Sequence, residues 1–216
     1  MLLVPDIDWV PVPAGEFIYG EDESQTSLYL EAFEIARYPV TNRQYQCFVD
    51  DGGYEDERWW QDLQKPEIRP SDWPQGNRPR VNVDWFEATA FKRWLSARLG
   101  YDVRLPYEHE WEKAARGEKG LVYPWGEDYR SGCANVDESS LEDGAYLEQT
   151  TAVGLYPRDN SPYEARDMAG NIVEWCNEVA PGRDGVISIG APPSPVLRGG
   201  SWYYLPRLAR AALRSG

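Results

Sequence analysis

Histidine, methionine and cysteine are nearly missing from these 216 residues: one His, two Met and three Cys. A lone His109 cannot build a multi-histidine metal site, and no Ser-His-Asp pattern offers it a recognisable context. Cys47, Cys133 and Cys176 are odd in number and widely spaced, with no CxxC or disulfide framework, so a reducing compartment is expected. Positive charge is also scarce. Against 36 Asp and Glu stand 22 Lys and Arg, a net charge of -14, which excludes binding to nucleic acid or an anionic membrane through an electrostatic footprint. Long apolar runs are absent too. The opening MLLVPDIDWVPVPAGEF has no basic start and is broken by Pro5 and Asp6, so it reads as neither signal peptide nor membrane span. A cytoplasmic protein is expected from the sequence as written, with surface display through a longer parent chain left open. Ser201 lies in Gly-Gly-Ser-Trp instead of a G-x-S-x-G elbow, and Gly52-Gly53 and Gly199-Gly200 read as tight turns, not phosphate loops.

What the chain has in quantity is tryptophan (10), glycine (19) and proline (17), with aromatics at 13%. Such a chain has ample surface to bury, through large rings packed between irregular segments. Strands are expected over 15–20 and 27–36. Thr41 opens a helix with Gln44 completing a capping box; Tyr45, Phe48 and Val49 face inward and Gly52-Gly53 ends it. Residues 54–80 carry Trp59, Trp60 and Trp73 among four prolines and read as a packed loop. Asp84 to Leu99 is the clearest helix, with Glu87 closing the box, Phe86, Ala90 and Trp94 on one face, and Gly100 as its C-terminal turn. A third helix starts near Pro106, suited to the first helical position, and ends at Gly117 with Trp111, Ala114 and Ala115 inward. Short strands are expected around 151–156 and 196–202. The fold class is α+β, loop-rich, in one domain over 1–216.

Six segments in order carry a family resemblance: PVPAGEFIYG, RYPVTNRQYQCFV, RLPYEHEWEKAARG, YPWG, DMAGNIVEW and LRGGSW. Together they resemble the formylglycine-generating enzyme/sulfatase-modifying-factor family, which implies a C-type-lectin-like fold with a few helices and short antiparallel sheets. Two positions depart from its pattern. Tyr107 stands where the family usually has a small capping Thr, and the sequence stops at Gly216, short of the usual final strand with its Gly-Phe-Arg motif. A trimmed chain is therefore expected.

The resemblance raises an enzyme and the residues argue against it. Formylglycine generation needs a pair of thiolates for Cu(I) just after Arg-Gly-Gly-Ser, and no cysteine follows Cys176. The iron enzymes of the ergothioneine branch need several histidines; His109, between Glu108 and Glu110, reads instead as a surface position beside carboxylates. Cys176 reads as a buried small hydrophobe. Neither copper nor iron is expected. The resemblance does imply structural calcium, held by oxygen donors. One set is Asn135, Val136, Asp143 and the Ala145 carbonyl; the other is Asp167, the Gly170 and Ile172 carbonyls, and Glu174. Alternatively, Asn135, Asp143, Asp167 and Glu174 cap turns and pair with arginines such as Arg166. Pro39 stands where enzymatic members carry a glutamate ligand.

Residues 196–216, VLRGGSWYYLPRLARAALRSG, alternate a frame with replaceable positions. Arg198, Gly199, Gly200, Trp202, Arg210 and Arg214 belong to the frame. Tyr203, Tyr204, Leu205, Arg207, Leu208, Leu213 and Ser215 are the free positions. The arrangement resembles the variable region of proteins diversified by retroelements that mutate adenines, and it implies a non-enzymatic ligand-binding protein displaying these side chains. Tyrosine and arginine suit such a surface. Ordinary core of a last sheet is the alternative; against it, consecutive large residues on one strand point to opposite faces. A protein partner is expected, because an aromatic and aliphatic patch suits apolar burial better than sugar hydroxyls. A divergent oxidoreductase of the family, or a sensor domain of a larger signalling protein, remain the other readings.

Overall fold

A computed structural model describes residues 4–177 and 195–214. Three two-stranded antiparallel sheets and three helices are held together by loops. Strand β1 (Trp9–Val12) pairs with β4 (Phe33–Ala36), β2 (Gly15–Tyr19) with β3 (Thr26–Leu30), and β5 (Glu174–Asn177) with β6 (Pro195–Arg198). The run 27–36 thus splits at Glu31-Ala32 into two strands with different partners. Strand β1 was not anticipated. Residues 151–156 form turns instead of a strand, since Gly154 takes a positive φ of 69° and the Thr151 N–H donates to the Asn171 side chain at 2.8 Å. Strand β6 stops at Arg198 because Gly199 and Gly200 turn through φ of 96° and 77°.

Helices α1 (Asn42–Asp50) and α2 (Trp85–Leu99) start where their capping boxes stand. The Gln44 N–H donates to Thr41 Oγ1 and the Glu87 N–H to Asp84 Oδ1 at 2.8 Å, while each helix's third side chain accepts the cap's own N–H. Gly100 ends α2 in the left-handed conformation. The two helices pack through Tyr45, Phe48, Phe91 and Trp94, whose rings stack or meet edge to face at centroid distances of 5.3 to 5.9 Å. Val49 and Phe86 are only half-buried against that cluster. The loop over 54–80 closes on it: Trp60 is buried and donates to the Gly53 carbonyl at 2.8 Å.

Helix α3 (Glu108–Arg116) begins two residues later than expected. Pro106 lies outside it, its carbonyl accepting the Asn177 N–H at 2.9 Å, and Tyr107 is the cap. Every residue of α3 is buried, the charged ones included. His109 is therefore not a surface residue; it stacks on Tyr107 at 5.6 Å, and burial lowers its basicity. Charges survive there because each has partners. Lys113 Nζ donates to the carbonyls of Pro13 and Gly15 at 2.8 and 2.9 Å, and Arg116 to that of Gly20 at 2.6 Å. Glu112 accepts the Gly20 N–H at 2.7 Å and pairs with Arg116 and with Arg198 of β6. Arg198, fully buried, also donates to the Ala212 carbonyl at 2.7 Å and lies 5.5 Å from the Trp111 ring centroid. No helix among the described residues is long and apolar enough to cross a membrane.

Removing one partner from this cluster leaves the other charge buried and unmatched. Arg198→Met is expected to lower unfolding stability by about 3–5 kcal/mol, read from urea unfolding. A loss below about 1 kcal/mol would mean that the pairs are replaceable packing.

Candidate functional site

The frame of the terminal segment sits underneath and the replaceable positions sit outside. Arg198, Gly199, Gly200, Ser201, Ala209, Ala211 and Ala212 are all buried. Tyr203 and Arg207 are exposed, and Tyr204, Leu205, Leu208 and Leu213 are half-buried; Ser215 lies outside the described residues. Instead of a strand, the segment turns after Ser201 and forms a short 3₁₀ turn over Pro206–Ala209. Pro206 suits that turn's first position. Backbone bonds pin it to its surroundings: the Trp202 N–H donates to the Asn171 carbonyl at 3.2 Å, the Asp137 N–H to the Tyr204 carbonyl at 2.9 Å, and the Ala211 N–H to the Val122 carbonyl at 2.9 Å. Arg210 pairs with Glu21 at 3.1 Å and Arg214 with Glu108 at 2.7 Å, so both frame arginines serve the scaffold.

Trp202 is half-buried among aromatics from two other loops. It stacks on Tyr146 at 6.0 Å and meets Trp73 and Tyr203 edge to face at 5.5 and 5.1 Å. Neither Trp73 nor Tyr146 was linked to the terminal segment by sequence reasoning, because each lies more than fifty residues away in the chain with no motif marking it. Ser201, Trp202 and Tyr203 also border a cavity of about 720 Å³ lined by Tyr45, Phe91, Arg80 and Trp175.

The structure brings parts of the two calcium sets together. Asn135 and Gly170 form a β-bridge, and the Asn171 N–H donates to the Asn135 carbonyl at 2.8 Å. A Cβ on Gly170 would collide with that carbonyl, so the close approach needs glycine. In the first set, the Asn135 amide is engaged with the Gln149 carbonyl and Asn171 Oδ1 at 2.9 and 3.1 Å. Val136 is buried, Asp143 and Ala145 are exposed, and the Ala145 carbonyl accepts the Glu138 N–H. The buried carboxylate in this region is Glu138, which sequence reasoning passed over; Tyr129, Ser131 and the Gly132 N–H already satisfy it.

The second set differs. Asp167 is buried and accepts the Gly154 N–H at 2.6 Å, while Arg166 donates to the Pro157 carbonyl instead of bonding it. Glu174 accepts the Trp111 indole N–H at 3.2 Å, and the Gly170 carbonyl accepts the Ile172 N–H at 2.8 Å. Burial pushes the Asp167 carboxyl up to about 6 and that of Glu174 to about 8, the latter with help from the Asp167 charge. Asp159, also unremarked in the sequence, is buried with Oδ1 unpartnered; burial and then the Asp167 charge hold it well above the carboxylate range. These carboxyls need a proton or a cation. Their oxygen chemistry suits a hard ion such as calcium. Among the described residues, no three His, Cys, Asp or Glu side chains are grouped to hold a metal by themselves, so carbonyl oxygens would have to contribute. Cys176 is fully buried, and burial pushes its thiol up, as expected for an inert side chain.

Residues 5–216 match the sulfatase-modifying factor enzyme 1-like domain. The chain belongs to this family. Among sulfatase-modifying factor enzyme 1-like relatives, the hercynine oxygenase of Mycolicibacterium smegmatis is 31% identical across 95% of this chain and 56% of its own length. The chain spans about half the length of the hercynine oxygenases it matches. An inactive C-alpha-formylglycine-generating enzyme 2 from Mus musculus is 28% identical over 89% of the chain and 73% of that protein. The solved structure of Treponema denticola variable protein 1 superposes with a TM-score of 0.69 over 96% of this chain and 88% of that one, at 21% identity. The α+β, loop-rich architecture is thus the sulfatase-modifying-factor fold, and that scaffold also serves a variable protein.

Because Glu174 takes up protons more readily in the folded protein, its contribution to stability is full below the ordinary carboxylate range and is lost as pH rises through about 8. With chelator present, Glu174→Gln is therefore expected to gain stability over the parent as pH rises from 5 to 8.5, read from thermal unfolding midpoints. A difference that does not change with pH would contradict the assigned environment.

Proposed function

We propose that this chain is a non-enzymatic ligand-binding member of the family that displays a diversified C-terminal surface. The observation that carries the reading is the division of residues 198–214: frame side chains other than the half-buried Trp202 are buried or ion-paired, while Tyr203, Tyr204, Leu205, Arg207, Leu208 and Leu213 all reach solvent. Side chains with no structural duty can be exchanged without cost to the fold, and exposed tyrosines offer rigid contact area. A protein partner fits the apolar and aromatic character. The shared scaffold with Treponema denticola variable protein 1 supports this reading. So does the sequence: Tyr204 stands where a copper thiolate is needed, and no cysteine follows Cys176.

Calcium at Asp167, the Gly170 and Ile172 carbonyls and Glu174 is a structural part of the proposal. The ion would neutralise the buried Asp167 and the half-buried Glu174 carboxyls and fix the loop that accepts the Trp202 N–H. The set around Asn135, Val136, Asp143 and Ala145 has less support, because the Asn135 amide is already engaged. Added calcium is expected to raise the unfolding midpoint of the parent at pH 8 and to leave that of Glu174→Gln unchanged; equal shifts in both would remove the site.

A second reading, a divergent oxidoreductase, is favoured by the identity to hercynine oxygenases. It requires tightly held copper or iron in the purified protein. The binding reading predicts in the flanking DNA a near-repeat of the segment encoding 196–216 that differs almost only at adenines. An intact locus without such a repeat would end the retroelement part of the proposal, and stoichiometric redox metal would favour the enzyme.

A further inference from the structure

The aromatic cluster around Trp202 extends the face beyond the terminal segment. Three stretches meet there: Trp73 from the loop after α1, Tyr146 from the loop over 137–148, and Trp202 with Tyr203 and Tyr204. Two of these rings are open to solvent, Tyr203 at 50% exposure and Tyr146 at 38%, and Leu147 beside Tyr146 is open at 42%. Clustered exposed apolar surface of this kind marks an interaction site.

Its rim is acidic. Asp72 adjoins Trp73, the Asp137 backbone is bonded to the Tyr204 carbonyl, and the charges of Asp137 and Glu148 both act on the Tyr146 hydroxyl. None of these three carboxylates has an ion-pair partner among the described residues, although most arginines elsewhere in the fold have found one. Of the cations nearby, Arg78 is taken up by the Gln149 side chain and the Thr150 carbonyl, and Arg80 by the Arg69 carbonyl; Arg207 lies further along the terminal turn. Aromatic faces attract cations through their quadrupole, and a carboxylate beside the ring adds a direct charge partner. A guanidinium satisfies both at once, because it is planar, stacks on rings and is more weakly hydrated than an ammonium.

We propose that this face, comprising Trp73, Tyr146 and the acidic rim of Asp72, Asp137 and Glu148 together with the terminal aromatics, docks a cationic, arginine-bearing segment of a partner protein. The inference rests on the reading of 198–214 as a binding face and adds the chemistry of what it takes. The rim lies outside the exchangeable positions. Changes at 203–208 would alter fine specificity while the preference for a cation stays.

Three synthetic peptides test it: one alternating arginine with leucine, and two in which glutamine or glutamate replaces every arginine. Binding to the full chain is followed by calorimetry at low and high salt. The arginine peptide should bind about tenfold more tightly than the glutamine peptide, with the glutamate peptide weakest, and high salt should narrow the gap. Asp137→Asn with Glu148→Gln should remove most of the difference while the unfolding midpoint stays unchanged; the Asn side chain can still accept the Ser139 N–H, now at 2.9 Å. Equal affinity for all three peptides, lost on Tyr203→Ala, overturns the cationic preference and leaves the binding face standing. Absence of binding by all three, or equal affinity that Tyr203→Ala leaves unchanged, overturns both.

Discussion

The Arg198 guanidinium holds the end of the chain to the rest of the molecule. It comes from the last residue of β6, is fully buried, and reaches Glu112 of α3, the Ala212 carbonyl and the Trp111 ring. Glu112 passes the connection on to the Gly20 N–H and to Arg116, which holds carbonyls of the first hairpin's neighbourhood. One buried cation therefore ties β6, α3, the N-terminal strands and the terminal segment together. Its desolvation is tolerable because both terminal nitrogens hold partners, while Nε lacks one. The consequence is mechanical. A segment fixed from beneath leans little on its outward side chains: Arg207 is exposed, and Tyr203, half open to solvent, meets the rings of its neighbours Trp202 and Tyr204.

That division also separates what the sequence makes legible from what it hides. Local chemistry reads well. Thr41 with Gln44 and Asp84 with Glu87 are capping boxes whose two bonds lie within four residues, so spacing alone finds them. Gly199 and Gly200 read as a turn for the same reason. Tertiary chemistry does not read. α3 looks like a surface helix because six charged or polar letters surround Trp111, and only its distant partners, Pro13, Gly20 and Arg198, explain its burial. His109 was misplaced on that account. β1 was missed because Pro11 and the short WVPV run give no alternating pattern, while its partner β4 supplies the register. Of the site, the terminal residues were legible; Trp73, Tyr146, Asp159 and Glu138 were not, since no spacing joins them to it.

Family membership narrows the fold much more than the function. Relatives include hercynine oxygenases and an inactive C-alpha-formylglycine-generating enzyme 2, and the same scaffold carries a variable protein. The deciding chemistry is local to the turn after Ser201. A thiolate pair there would make a soft-metal centre. Here Tyr204 is half-buried and Ala209 is buried, and no cysteine follows Cys176. Asp167, buried, and Glu174, half-buried, both hold their protons more tightly than ordinary carboxyls.

The central claim is that the frame folds the protein and the outer residues do not. It is tested most directly by comparing unfolding midpoints of two sets of variants. In one, positions 203, 204, 205, 207, 208 and 213 are randomised together; in the other, Arg198, Ser201, Ala209 and Ala211 are randomised. The first set should stay within about 1 kcal/mol of the parent, as surface substitutions do, and the second should lose cooperative unfolding. If the two sets fall equally, the segment is core and the display account is wrong.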